Sequence, residues 1–338
     1  SNRPRSSLMP VRLFRFDHGD HAKGATPFAF AATGFTRMMG YEGEPAVARV
    51  AEKYGILYGL STLGTTSPED LAKEVPNVRR WYQLYVRRER EPNEKLIERV
   101  KASGYETIVL TVDTVVGGVR YRDVKNGLTI PPKLTLKTLI GMAKYPKWWM
   151  NLLTTEPRVF ASLDMKDSGG TVADLLSKIF DPSITLEDIK WLKSVWDGKL
   201  LIKGVQSVED AVMLKNAGVD GVILSTHGGR QMDKAPVPLE LLPEVRKAVG
   251  KEFTVLIDGG VMAGTDILAA IGLGANAVLI GRAYLYGLMA GGQDGVQTRV
   301  EGRLGDFVLL LGGIHIGLSR TQVRVVFLHA AACVFQRA

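Results

Sequence analysis

Residues 219–231 read Val-Asp-Gly-Val-Ile-Leu-Ser-Thr-His-Gly-Gly-Arg-Gln. The run Gly221–Ser225 has the length and apolar character of a buried strand. It leads straight into a turn carrying a histidine, two glycines and an arginine. Helical patterns flank it at Val208–Ala217 and Pro238–Val249, with apolar residues at i, i+3 and i+4. A strand that ends in polar residues and alternates with helices is the repeating unit of a parallel sheet.

Working outward, the same unit recurs. Strands are predicted at Pro27–Thr33, Ile56–Thr62, Trp81–Val86, Thr107–Asp113 and Leu200–Val205 upstream, and at Phe253–Asp258 and Ala277–Gly281 downstream. Helical stretches at Glu44–Tyr54, Asn93–Ala102 and Ala263–Gly272 separate several of them. Eight strands, most followed by a helix, predict an α/β chain folded as a (β/α)8 TIM barrel. A doubly wound sheet is the competing architecture; the count of eight and the polar residues at so many strand ends favour the barrel. The interval Thr114–Lys199 is too long for a plain connection and reads as an excursion after strand four. It carries Pro131-Pro132 and then a Lys/Trp-rich stretch, Lys133–Trp149.

The 338 residues, 46% hydrophobic and 23% charged, suit a single domain over residues 1–338 with a sizeable core. One cysteine, Cys333, excludes internal disulfides and cysteine-rich metal sites. The N-terminus has Arg3, Arg5, Arg12 and Arg15 but no apolar signal core, and no apolar run approaches the ~18 residues of a span. The expectation is therefore a cytoplasmic protein. A net charge of +8 suits an anionic ligand; the charges are scattered, so no nucleic-acid partner is expected.

In a barrel the strand ends face the active site. They carry Thr33-Gly34, Ser61, Gln83 and Tyr85, Thr111 and Asp113, Lys203, Ser225 and His227, Asp258-Gly259-Gly260, and Gly281-Arg282. Polar groups at all eight ends point to one large polar ligand spread across the mouth. The glycine-rich turns after the last two strands can bring backbone N–H groups to an anion, with Arg282 as a charged clamp. His227 can take a proton near neutral pH, and Arg230 can grip a carboxylate through two bonds. Asp113 and Arg120 add a second acid and a second guanidinium. Histidines and acids do not cluster at metal-ligand spacings, so no metal is expected. No Gly-x-Gly-x-x-Gly follows the first strand, which argues against a Rossmann site.

Thr33-Gly34, Glu42-Gly43-Glu44, Leu60-Ser61-Thr62, Gln83-Leu84-Tyr85, Thr111-Val112-Asp113, Lys203-Gly204, Ser225–Gln231, Asp258-Gly259-Gly260 and Gly281-Arg282, in this order, resemble the FMN-dependent α-hydroxy acid dehydrogenases and oxidases. That family includes glycolate oxidase, L-lactate dehydrogenase and mandelate dehydrogenase. The stretches Thr33–Met39 and Gly281–Leu288 look most like bacterial L-lactate dehydrogenase members. The resemblance implies FMN as cofactor and oxidation of a lactate-like L-2-hydroxy acid to the 2-oxo acid. It makes His227 the base, with Asp113 steadying the imidazolium. Arg230 and Arg120 would hold the substrate carboxylate, and Tyr85 would bond the substrate. Lys203 would face the flavin. Ala32, Thr33, Gly34, Ser61, Gln83, Thr111, Ser225, Asp258, Gly259, Gly260, Gly281 and Arg282 would form the rest of the cofactor site. It also implies a homo-oligomer, a tetramer, and O2, a quinone or a cytochrome as electron acceptor.

The sequence also departs from the family, most seriously at its two ends. Thr226 stands where the family has Asn, Met262 where it has a phosphate-binding Arg, and Ala32 where it has Pro. Residues 1–26 lack the family's substrate tyrosine motif, and residues 297–338 diverge from it. A second reading is therefore a flavin-binding or inactive remnant with incomplete N- and C-terminal regions; a phosphate-binding barrel isomerase leaves His227, Arg230 and Arg120 unexplained. The stretch 133–153 mixes Lys with Trp and Leu, which suits peripheral contact with an anionic membrane at its inner face, as in membrane-associated relatives; packing over the barrel is the equal alternative by pattern.

Overall fold

A computed structural model describes residues 26–115, 118, 121, 125, 136–155, 160–163, 179 and 181–304. Eight parallel strands close into a barrel in sequence order: β1 Phe28–Phe30, β2 Leu57–Ser61, β3 Arg80–Leu84, β4 Thr107–Thr111, β5 Lys199–Val205, β6 Gly221–Leu224, β7 Thr254–Asp258 and β8 Ala277–Ile280. Closure is the pairing of β1 with β8, Phe28 opposite Val278 and Phe30 opposite Ile280, which rules out the open doubly wound sheet. The first strand is shorter than the sequence predicts. After Phe30 only the Ala31 N–H still bonds across, to the Ile280 carbonyl at 2.8 Å, and Ala32 and Thr33 then leave the ladder.

The strands are buried on both faces, as the period of two requires in a covered parallel sheet. One face, with Phe30, Tyr58, Leu60, Tyr82, Ile108, Ile202, Val222 and Ile257, packs under the helices in the main core. The other, with Ala29, Leu57, Trp81, Val109, Leu201, Ile223, Leu256 and Leu279, fills the barrel lumen as a separate cluster. The lumen is a packed core rather than a pore.

Helices cover the outside at Gly43–Tyr54, Pro68–Glu74, Arg90–Ala102, Leu186–Val195, Val208–Asn216, Pro238–Val249 and Gly264–Leu273. Their starts follow side-chain capping chemistry. Ser67 and Ser207 each accept the N–H of the residue three positions on, Asp70 and Asp210, at 3.0 Å, and Thr185 forms a capping box with Asp188. After β8 the chain is helical from Arg282 to Arg299, broken by non-helical backbone at Gly291 and Gly292. The excursion contributes two further helices, Leu136–Ala143 and Pro146–Thr154. Leu136, Ile140 and Met150 on them and Tyr145 between them are exposed, and the Trp148 indole N–H donates to the Met38 carbonyl at 3.4 Å.

Arg246 ties the N-terminal end of the barrel together at β7 and β8. Its guanidinium donates to the carbonyls of Gly274, Gly250 and Phe253 and to Asn276 Oδ1, each at 2.7 Å. Burial lowers the basicity of this guanidinium, which meets only neutral acceptors. Arg246→Met leaves these acceptors without their donor. It should cost about 2–4 kcal/mol of unfolding free energy, read as a lower urea midpoint with an unchanged slope.

Candidate active site

Strand alternation decides which polar groups meet. Two residues past the lumen layer, on the same face, come Gln83, Thr111, Lys203, Ser225 and Asp258; Ser61 follows Leu57 by four. They form a rim at the C-terminal mouth, bonded in two groups. The Ser61 hydroxyl donates to Gln83 Oε1 at 2.9 Å, and Gln83 Nε2 donates to Thr111 Oγ1 at 3.0 Å. Lys203 Nζ donates to Ser225 Oγ at 2.8 Å, and the same oxygen accepts the His227 N–H at 3.0 Å.

The charges concentrate around Lys203. Its ammonium lies 3.1 Å from Asp258 Oδ2 and 3.6 Å from Asp113 Oδ2. Asp113 Oδ1 in turn lies 2.8 Å from His227 Nδ1. The Asp113 carboxylate is fully buried. Burial alone would push it up, but the Lys203 ammonium, and then the His227 contact, together hold it below the ordinary carboxylate range. Burial would likewise lower Lys203; Asp258 first, then Asp113, outweigh it and raise its basicity. With an ionised carboxylate at Nδ1, that ring nitrogen carries a proton, and Nε2 is the ring nitrogen not engaged by Asp113.

Backbone conformation sets this geometry. His227, Gly228 and Gly229 take consecutive left-handed φ values of 55°, 66° and 69°. A non-glycine residue held there is uncommon and costs conformational energy, which the surrounding contacts must offset. Gly204 has φ 105° at a register shift in β5, and a Cβ there would come within 2.6 Å of Asp113 Cβ. Only glycine lets Asp113 pack against the strand that carries Lys203.

The glycine-rich turns after β7 and β8 lie alongside. Gly259 and Gly260 have φ 91° and 76°, with open space where a Gly260 Cβ would point. Arg282 Nη2 donates to the Gly228 carbonyl at 3.0 Å, linking the turn after β8 to the His227 loop. Met262, at the position of the missing arginine, uses its N–H to bond Asp266 Oδ2 at 2.8 Å. Ala32, Thr33 and Gly34 follow β1, and a Gly34 Cβ would touch Leu63 Cβ at 3.0 Å. Arg230 is exposed three residues after His227; Arg120 lies outside the described residues. Tyr85 is buried against Phe160, Leu163 and Ile179, a wall of the mouth built partly by the excursion. A cavity of about 250 Å³ lies beside the cluster, bordered by Tyr85, Thr111 and Gly204 but not by His227.

Glu44, Tyr284 and Gly204 received no role from the sequence. Glu44 is fully buried and accepts from the Thr65 N–H at 2.7 Å and from the hydroxyls of Thr65 and Thr66 at 2.6 and 3.0 Å. It fixes the loop after β2. A charged residue in the first turn of a helix reads as solvated, and no sequence signal marks it as buried.

The ionised cluster predicts a pH signature. Asp113 sits below its unfolded value of about 3.9, so its contribution is present above that pH and is lost as pH falls through the folded value. Lys203 sits above about 10.4, so its contribution holds below that pH and is lost only as pH rises through the folded value. Lys203→Met strands two buried carboxylates. It should cost about 3–5 kcal/mol at pH 7 and less near pH 4, where the stranded groups take up protons. Urea unfolding of both proteins across pH 4–8 reads this difference directly.

A family model described as FMN-dependent dehydrogenase matches residues 21–309. A provisionally named L-lactate dehydrogenase of Mycobacterium tuberculosis is 54% identical over 275 residues, covering 81% of this chain and 66% of that protein. The 2-hydroxyacid oxidase of Dictyostelium discoideum is 37% identical over 272 residues, covering 80% and 65%. The chain thus spans just under two thirds of the length of these curated relatives. Among solved structures, monotopic membrane protein (S)-mandelate dehydrogenase superposes with a TM-score of 0.77 at 38% identity, covering 82% of this chain and 75% of that one.

Proposed function

The chain belongs to the FMN-dependent dehydrogenase family, and from that premise we propose that it oxidises a lactate-like L-2-hydroxy acid to the 2-oxo acid. The observation that carries this reading is the His227–Asp113 pair beside Lys203, an oriented base with a buried counter-charge. The family description implies FMN. The residues present suit it. Asp258 Oδ1 is a buried acceptor with no donor among the described residues, ready for a hydroxyl of the flavin's sugar-alcohol chain. Ser61, Gln83 and Thr111 line a polar strip able to bond a heteroaromatic ring edge, and Gly259, Gly260, Gly281 and Arg282 suit a phosphate. When bound, FMN supplies the two-electron sink.

The protein's own part is proton handling and orientation. His227 Nε2 takes the substrate hydroxyl proton. Asp113, ionised throughout the neutral range, steadies the imidazolium and keeps Nδ1 protonated. Arg230 and Arg120 grip the substrate carboxylate, and Tyr85 closes the wall against which the substrate sits. Lys203 places a fixed positive charge at the cofactor's side of the mouth. The electron acceptor is O2, a quinone or a cytochrome, and the working form is a homo-oligomer.

Yellow protein that bleaches with L-lactate without oxygen supports turnover; a flavin band indifferent to 2-hydroxy acids reduces the chain to a flavin binder. His227→Gln should retain the flavin band and slow its bleaching by on the order of 10²–10⁴, because an amide cannot take the proton. Unchanged bleaching would remove His227 from the chemistry.

The helices Leu136–Ala143 and Pro146–Thr154 are read as a membrane-surface contact. Among the described residues no helix is long and apolar enough to cross a bilayer, yet Leu136, Ile140, Tyr145 and Met150 are exposed beside Lys144. The protein should co-sediment with vesicles of anionic lipid at low salt and less at high salt. Protein that stays in the supernatant at every salt concentration makes this segment a packing element instead.

A further inference from the structure

Thr33 lies at the seam where the barrel closes, and its side chain is turned in a specific way. Thr33 Oγ1 sits 2.7 Å from the Tyr284 hydroxyl. Tyr284, fully buried in the helix after β8, donates its one hydroxyl hydrogen to the Ala31 carbonyl at 2.8 Å. Burial pushes this phenol well above its ordinary range; the Thr33 bond opposes that and the nearby Glu44 carboxylate adds to it, so the hydroxyl remains a donor at any working pH. With that hydrogen spent on Ala31, the hydrogen between the two hydroxyls belongs to Thr33. A second contact holds Thr33 from the other side: Thr36 Oγ1 lies 3.1 Å from Thr33 Oγ1 and 3.2 Å from its carbonyl. The Thr33 hydroxyl therefore has no hydrogen left to offer a ligand. Its methyl Cγ2 faces the turn after β8 instead, 3.8 Å from where a Gly281 Cβ would stand.

We propose that Tyr284 is a positioning residue that locks the Thr33 rotamer, so that Thr33 meets the cofactor with its methyl and backbone while its hydroxyl serves as an internal anchor. This rests on the reading of Gly281 and its neighbours as part of the FMN cradle. It gives the expected cofactor-site residue Thr33 a definite role, a wall of the cradle rather than a side-chain hydrogen-bond donor. It also explains how the shortest strand holds its end in place. β1 has three residues, and beyond them the anchors of this segment include Tyr284, which carries Ala31 and Thr33 on the same helix that begins at Arg282. The helix that offers the phosphate clamp thereby sets the position of the opposite wall.

A double-mutant cycle tests the lock. Apoprotein of wild type, Thr33→Val, Tyr284→Phe and the double variant is titrated with FMN, following the quenching of flavin fluorescence, with urea unfolding of each apoprotein alongside. Valine keeps the methyl and removes the hydroxyl; phenylalanine keeps the ring and removes its oxygen. Each single variant should raise the FMN Kd by about three- to tenfold, the worth of one buried neutral hydrogen bond. The double variant should bind no more weakly than the worse single one, because both changes break the same lock. Multiplying effects would overturn the proposal, since they mean that the Thr33 hydroxyl contacts the ligand itself or that Tyr284 acts through barrel stability alone. An unchanged Kd in Thr33→Val would overturn it as well. The bound flavin spectrum of Thr33→Val is a second measurement that does not depend on Tyr284→Phe folding: a shifted band supports the lock, and a band identical to wild type argues against it. Wild-type apoprotein that takes up no FMN strikes at the proposed function rather than at the lock.

Discussion

The architecture of the mouth turns on one buried ammonium. Lys203 lies between Asp258 and Asp113, and a cation withdrawn from water is tolerated only because both carboxylates face it. The arrangement works in the other direction too. Asp113 can remain ionised with no solvent exposure because Lys203 stands beside it, and an ionised Asp113 is what orients the His227 ring. Three strands, β4, β5 and β7, bring these charges together. Closure of the barrel in sequence order is therefore a condition of the chemistry and not a backdrop to it. A slip of one residue in any of these strands would turn its charge out of the lumen.

The second constraint is steric. Bringing Asp113 against β5 requires a residue without a Cβ at Gly204 and a bulged register beside it. Bringing the imidazole over Asp113 requires three successive left-handed residues, the first of which must be a histidine and so carries the strain. The Ser225 hydroxyl and the Arg282 guanidinium hold that loop at its two sides, on the His227 N–H and the Gly228 carbonyl. The strain is local, and the anchors are side chains that already belong to the rim.

Much of this is legible in the sequence because strands end in a regular way. Eight short apolar runs, most with a polar residue at or near the end, give the barrel; the alternation within each run tells which of those polar residues share the lumen. Ser61, Gln83, Thr111, Lys203, Ser225 and Asp258 follow from that pattern without a structure. What is not legible depends on packing between distant segments. Glu44 looks like a solvated helix start and is buried under the loop after β2. Tyr284 looks like a core aromatic and is a polar anchor for β1. The predicted extent of β1 is also too long, because a single-strand pattern cannot show that Ala32 and Thr33 have no partner left on β8. Arg120 falls outside the described residues and keeps only the standing that sequence gives it.

The balance of charge explains why the rim needs its arginines. Lys203 is outnumbered by Asp113 and Asp258, so the ionised cluster is negative before any ligand arrives. The ligands proposed for this mouth, a 2-hydroxy acid and a phosphate, are both anions, and neither would gain from approaching such a cluster unaided. Attraction must come from groups outside it. Arg230 lies past the histidine and Arg282 past β8, both exposed, where a guanidinium can meet an anion before that anion reaches the carboxylates. The net charge of +8 acts over a longer range in the same direction. The buried charges thus orient the imidazole, and the exposed ones suit the approach of an anion to the mouth.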